Sequence, residues 1–154
     1  MRLSPRILYV DDDLASCEIM TFWLKEEFDF EITVAMNAKQ AVDLIRSEYF
    51  DLYILDYCLP DVTAVNLCLQ IRGIRSKAPI MVYSALERDI DRESAIAAGA
   101  DYYFIKPQEI EEIGLLIRRL LDSSVVPAHF HATDGDIPVI HEITGQRRRA
   151  SGIL

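Results

Sequence analysis

No apolar run in this 154-residue chain approaches the roughly 18 to 20 residues that a membrane span requires, and Met1 to Pro5 lacks a signal-peptide core. A soluble, cytoplasmic protein without a membrane partner is expected. Basic charge is also short: 16 Lys and Arg stand against 25 Asp and Glu, a net charge of -9. That argues against direct nucleic-acid binding through a general basic surface, which needs an excess of Lys and Arg. Cysteine is sparse. Cys17, Cys58 and Cys68 are odd in number, sit in apolar surroundings and lack metal-ligand spacing, so reduced, structural thiols are expected. Length is lacking for a second folded domain, whereas 51% hydrophobic composition is ample for one core.

Four short apolar runs each end in a residue suited to phosphate chemistry. Ile7 to Val10 ends in Asp11-Asp12-Asp13, Leu52 to Leu55 in Asp56, Ile80 to Tyr83 in Ser84, and Tyr103 to Ile105 in Lys106. Between the runs lie helix-length segments. Cys17, Met20, Leu24 and Phe28 recur at spacings of three and four, which predicts a helix over about 14–28. Glu31 to Ala35 reads as a strand, and Asn37 as the N-cap of a helix carrying Ala38, Ala41, Val42 and Ile45. Val65 to Arg72 reads as helical with Gly73 as its stop, and Asp89 to Ala98 as helical with Gly99 after it. Ile110, Ile113, Ile117 and Leu120 mark the last helix. Alternation of this kind gives an α/β fold: a doubly wound five-stranded parallel sheet, buried on both faces, in the order 2-1-3-4-5. Ligands of such sheets sit beyond the carboxyl ends of the strands, so Asp11, Asp12 and Asp56 become neighbours and Ser84 and Lys106 face the same crevice.

Residues 1–122 form the expected domain, and 123–154 a C-terminal tail without an output domain. Asp134, Asp136 and Glu142 balance Arg147 to Arg149, so the whole -9 belongs to residues 1–122. Val125, Val126, Phe130, Ile137, Val139, Ile140 and Ile143 are more apolar than a solvated linker needs, which suits docking on the body or on a second copy. His129, His131, Asp134, Asp136 and His141 match no standard metal-ligand spacing, and a loop is the expectation there.

Carboxylates a few ångströms apart repel by about 4 kcal/mol per pair at an effective dielectric near 20, so Asp11, Asp12 and Asp56 call for a hard divalent cation. Magnesium suits them, since it takes one or two carboxylates together with waters and phosphate oxygens. Phosphoryl transfer further needs a nucleophile, charge neutralisation and alignment. Asp56, alone at a strand end, is the candidate nucleophile, Ser84 a hydroxyl donor to a phosphoryl oxygen, and Lys106 a compact positive charge on a loop fixed by Pro107.

Asp11-Asp12, Asp56, Ser84-Ala85 and Lys106-Pro107, in this order, resemble the receiver domain of two-component response regulators, over residues 6–122. The stretches from Ile7 to Asp13, from Asp51 to Asp61 and from Gly99 to Pro107 are similar to the family's three signatures. The resemblance implies a flavodoxin-like fold, Asp56 as phosphoacceptor, and a Mg2+ site built from Asp11, Asp12, Asp56 and the Cys58 backbone carbonyl, Asp12 being the direct acidic-pair ligand. It implies phosphoryl binding by Ser84 and Lys106, a switch made of Ser84 and Tyr103 that repacks the face of the fourth helix, fifth strand and fifth helix, and a cis peptide before Pro107.

Three departures accompany the match. Thr63-Ala64 stands where the family commonly has a pair ending in Gly, so a different loop path is expected. Cys58 and Leu86, two positions after Asp56 and Ser84, are less polar than the usual residues and are expected to hinder water and prolong the phosphoryl state. Gln108 replaces a frequent aromatic. Singly, every site residue also has an ordinary role: helix cap, satisfied hydroxyl, surface charge or core aromatic. Their joint placement at four strand ends favours chemistry.

The implied function is a stand-alone, single-domain response regulator and not an enzyme. It takes phosphate from a sensor histidine kinase and passes the signal to a histidine phosphotransfer protein or another protein, with homodimerisation through the switching face. A pseudo-receiver that binds partners without phosphorylation is the alternative. A haloacid-dehalogenase-like phosphatase with Asp11-x-Asp13 as nucleophile motif is disfavoured, because no late acidic pair stands at a credible strand end after the lysine.

Overall fold

A computed structural model describes residues 4–75 and 77–121. The tail, its His/Asp cluster and Arg147 to Arg149 lie outside the described residues. Five strands, β1 (Arg6–Val10), β2 (Glu31–Ala35), β3 (Leu52–Leu55), β4 (Ile80–Ser84) and β5 (Tyr102–Ile105), alternate with α1 (Leu14–Phe28), α2 (Ala38–Ser47), α3 (Ala64–Ile74), α4 (Asp89–Ala97) and α5 (Ile110–Leu121). The sheet is wholly parallel in the order β2-β1-β3-β4-β5, as the apolar runs require.

Near-continuous apolar strands bury both of their faces. Alternate residues Leu8, Val10, Tyr53, Leu55, Ile80, Val82 and Tyr103 share one cluster with Ala41, Ile45, Leu67, Ile71 and Ala95 of α2, α3 and α4. The intervening residues Ile7, Tyr9, Leu52, Ile54, Met81 and Phe104 are equally buried. They belong to the opposite face, with Met20 and Leu24 of α1 and Ile113 and Ile117 of α5.

Local chemistry sets the helix ends. Asp13 caps α1, its carboxylate accepting from the Ser16 amide at 3.1 Å and the Ser16 hydroxyl at 2.7 Å. Asn37 caps α2 through the Gln40 amide at 2.8 Å. Asp61, from the loop after β3, accepts the Ala38 and Lys39 amides at 3.0 and 2.9 Å and so ties that loop to the N-terminus of α2. The Ala38 and Lys39 amides hold the Asp61 carboxyl below the usual range. Asp29 closes α1 at φ 56, a left-handed conformation that a short polar side chain tolerates.

One boundary differs from expectation. Gly73 does not stop α3, which continues to Ile74 and ends on the Arg75 amide bonding the Ile71 carbonyl at 2.6 Å. A lone glycine costs a helix only about 1 kcal/mol, and Ile71, fully buried, anchors this turn. Gly99 does follow α4, at φ +113, with the Arg72 side chain packed where a Cβ would stand.

Gly114 is required for a different reason. A Cβ there would lie 2.1 Å from Cε2 of Phe28, whose ring stacks on Phe30 at 5.6 Å and carries the Arg118 guanidinium 4.8 Å from its centroid. Gly114→Ala is expected to lower stability by about 1 to 3 kcal/mol despite better helix propensity. Urea unfolding checks this, and a Phe28→Leu background should recover part of the loss.

Candidate functional site

The ladder runs one residue beyond the strands and fixes the backbone of the site. The Asp11 amide donates to the Ala35 carbonyl at 3.0 Å, the Asp56 amide to Val10 at 2.8 Å, and the Lys106 amide to Ser84 at 2.8 Å. Because β1 and β3 are adjacent with Val10 opposite Leu55, the acidic residues that follow them must meet. One carboxylate oxygen each from Asp11, Asp12 and Asp56 lies within 4.8 Å of the others. Asp11 is fully buried and Asp12 exposed, with the side chain of Asp56 15% exposed, so the group opens to solvent on one side.

Lys106 is the counter-charge. Its Nζ lies 2.5 Å from Asp11 Oδ2 and 3.3 Å from Asp56 Oδ1. It also sits 5.4 Å from the centroid of the Tyr83 ring. Burial pushes the Asp56 carboxyl up to about 6, against the pull of Lys106 and with the help of Asp11. Three close carboxylates with one ammonium leave negative charge in excess, and the hard oxygen donors suit a divalent cation such as magnesium.

Ser84 and Tyr103 meet in the loop after β4. The Ser84 Oγ, 2% exposed, accepts the Leu86 amide at 3.1 Å, and the Tyr103 hydroxyl donates to the Leu86 carbonyl at 2.8 Å. Both residues thus hold the same peptide segment. The Tyr103 ring packs edge-on against Tyr57 at 6.4 Å and lies 5.5 Å from the Arg92 guanidinium. Arg88 makes two bonds, 2.8 and 3.0 Å, to the buried Asp91 at the start of α4. The Lys106–Pro107 peptide is cis.

The loop after β3 needs no left-handed residue at Thr63 or Ala64. Thr63 has φ -80 and pairs with Cys58 in an isolated bridge, while the Ala64 amide bonds the Tyr57 carbonyl at 2.8 Å. Cys58 is exposed, and Cys17 and Cys68 are buried free thiols. The Asp13 carboxylate is engaged in capping α1 through the Ser16 amide and hydroxyl.

Two aromatic residues of the site escaped the sequence reading. Tyr9, fully buried, donates its hydroxyl to Asp11 Oδ2 at 2.5 Å. Its signal was its position two residues before Asp11 on one strand, hence on the same face. Tyr57 follows Asp56 directly and touches Tyr103, a contact that no spacing rule announces.

Residues 7–118 match the family model for the response regulator receiver domain. The chain belongs to the response regulator receiver family. Receiver domains are signalling modules. Among relatives, response regulator MprA of Mycobacterium avium (strain 104) is 33% identical over 153 residues, covering 95% of this chain and 66% of that protein. Response regulator ArlR of Staphylococcus epidermidis is 32% identical over 115 residues, 75% of this chain and 52% of ArlR. The chain therefore spans about half to two thirds of the length of these curated relatives.

Solved receiver structures agree in fold. A two-component response regulator from Clostridium difficile superposes with a TM-score of 0.74 at 28% identity, covering 80% of this chain and all of the other. The CheY-like receiver domain protein of Methanospirillum hungatei JF-1 gives 0.69 at 27% identity, covering 75% and 91%. The receiver domain of the sensor histidine kinase PA1611 of Pseudomonas aeruginosa PAO1, described with magnesium coordinated in its active site cleft, gives 0.69 at 24% identity, covering 76% and 97%. Among the described residues, no helix is long and apolar enough to cross a membrane.

Proposed function

We propose that this receiver accepts a phosphoryl group on Asp56 from a sensor histidine kinase and signals by phosphorylation-dependent protein contact. The observation that carries the reading is the Asp56 carboxylate at a strand end, 3.3 Å from Lys106 and clustered with Asp11 and Asp12. In the proposed step an Asp56 carboxylate oxygen bonds to phosphorus as the bond from phosphorus to the donor histidine nitrogen breaks, and that nitrogen keeps the electron pair. Lys106 and Ser84 meet the phosphoryl oxygens. Asp11, Asp12, Asp56 and the Cys58 carbonyl would hold magnesium, which when bound neutralises phosphoryl charge. The magnesium described for the PA1611 receiver supports this assignment by likeness of fold.

The proposed switch runs through Ser84 and Tyr103. Both grip the segment at Leu86, so drawing Ser84 toward a phosphoryl oxygen reorders the peptide on which Tyr103 rests. Only contacts that differ between the two packings shift their populations. The proposed output is a contact with another protein in the cytoplasm, a histidine phosphotransfer protein included. Homodimerisation through α4, β5 and α5 belongs to the proposal, since Ile90 and Leu115 are 60% and 46% exposed on those helices. A mass in solution that stays monomeric for both phosphoforms would remove it.

The function is tested by incubating wild type, Asp56→Asn and Asp11→Asn with magnesium and a small acyl phosphate and reading intact mass. Gain of one phosphoryl group by wild type, abolished in Asp56→Asn, is expected. Sustained turnover dependent on Asp11 would point to a phosphatase, and no gain at all to a pseudo-receiver.

A further inference from the structure

Asp11 has an unusual set of partners for a carboxylate beside a proposed metal site. Its Oδ1 accepts the Asp13 amide at 2.9 Å, and its Oδ2 accepts both Lys106 Nζ and the Tyr9 hydroxyl, each at 2.5 Å. The residue has no exposure to water. An oxygen so placed loses heavily if its donors leave, because no solvent replaces them.

Lys106 has two tasks that conflict. In the structure it sits nearer to Asp11 than to Asp56, yet on the reading proposed above it must turn to an incoming phosphoryl oxygen. Its departure would strip one donor from Asp11 Oδ2. We infer that Tyr9 is a positioning residue that keeps Asp11 Oδ2 hydrogen-bonded, so that Lys106 is free to move to the phosphoryl group. The Tyr9 ring is immobilised inside the sheet's packed face, which leaves the hydroxyl where it is whatever Lys106 does. A hydrogen bond to a charged, buried acceptor belongs to the strong class, so its removal should be measurable.

The inference rests on the phosphoacceptor reading, and two double-mutant cycles separate them. In the first, the initial rate of phosphoryl gain from a small acyl phosphate at saturating magnesium is followed by intact mass for wild type, Tyr9→Phe, Lys106→Met and the double variant. Tyr9→Phe should slow the wild type about tenfold. In the Lys106→Met background it should change the rate less than about twofold, because no lysine remains to be released. A merely structural role would give the same factor in both backgrounds and would overturn the inference, as would an unchanged rate in Tyr9→Phe.

The second cycle needs neither magnesium nor turnover. In chelator, reversible urea unfolding of wild type, Tyr9→Phe, Asp11→Ala and the double variant should show that Tyr9→Phe lowers the midpoint only while position 11 keeps an acceptor for the hydroxyl. Equal shifts in both backgrounds would contradict the hydrogen bond, and this cycle stands even if Tyr9→Phe proves too unstable for rate work at higher temperature. If wild type takes up no phosphoryl group, the function proposed for Asp56 fails. If it does and both cycles are additive, only the role of Tyr9 fails.

Discussion

Asp56→Asn is expected to stabilise the metal-free protein at pH 7 by about 2 to 3 kcal/mol while removing its capacity to take up phosphate. The cause is the environment of the carboxyl. Burial raises it from 3.8 to about 6. The folded state therefore binds the proton more tightly than the unfolded chain does. The associated stability is fully present below about pH 4 and is lost as pH rises through about 6, so at neutral pH the charged Asp56 works against folding. Asn presents a similar shape without the charge. Metal-free wild type should thus lose stability between pH 4 and 7 relative to the variant, and urea unfolding in chelator across that range measures the difference. The lowered carboxyls of Asp13 and Asp61 act below this window and with the opposite sign, their contribution fading as pH falls. A variant no more stable than wild type at pH 7 would contradict the electrostatic account.

Lys106→Met should act in the other direction and with comparable size. Removing the ammonium leaves Asp11, fully buried, and Asp56 without their shared cation. Breaking a buried pair by deleting one partner typically costs about 3 to 5 kcal/mol. Here about 3 kcal/mol is expected at pH 7, because Lys106 retains 14% exposure. The loss should shrink at pH 5, where Asp56 takes up a proton, and magnesium should offset part of it at neutral pH. Equal destabilisation at pH 5 and 7 in chelator would show that the lysine acts through packing of its stem. The opposite signs of Asp56→Asn and Lys106→Met distinguish a site arranged for chemistry from an ordinary ion pair, in which deleting either charge destabilises.

How much of this was legible follows from the range of the forces involved. The strands, their order and the meeting of Asp11, Asp12, Asp56 and Lys106 were readable, because apolar runs of strand length force a buried parallel sheet and its topology brings the strand ends together. Asp13 and Asn37 as caps were local facts of a few residues. Gly73 was misread because its cost is small and is overridden by burial of Ile71, a tertiary effect. Asp61 capping α2 from the loop after β3 joins residues more than twenty positions apart, and the Gly114 to Phe28 fit joins α5 to α1. Neither leaves a periodic trace. Tyr9 and Tyr57 looked like ordinary apolar positions, and only the placement of their neighbours gives their hydroxyl and ring a role. At Thr63, the first residue of the Thr63-Ala64 departure, the backbone is ordinary extended chain bridged to Cys58, a pairing that no local spacing announces.

The most direct test of the central claim locates the modified atom. Wild-type protein treated with magnesium and a small acyl phosphate is reduced with borohydride, which converts an aspartyl phosphate to homoserine, and is then mapped by peptide mass spectrometry. The account predicts homoserine at position 56 and at no other carboxylate. Modification of Asp11, Asp12 or Asp13 instead, or none anywhere, would contradict it.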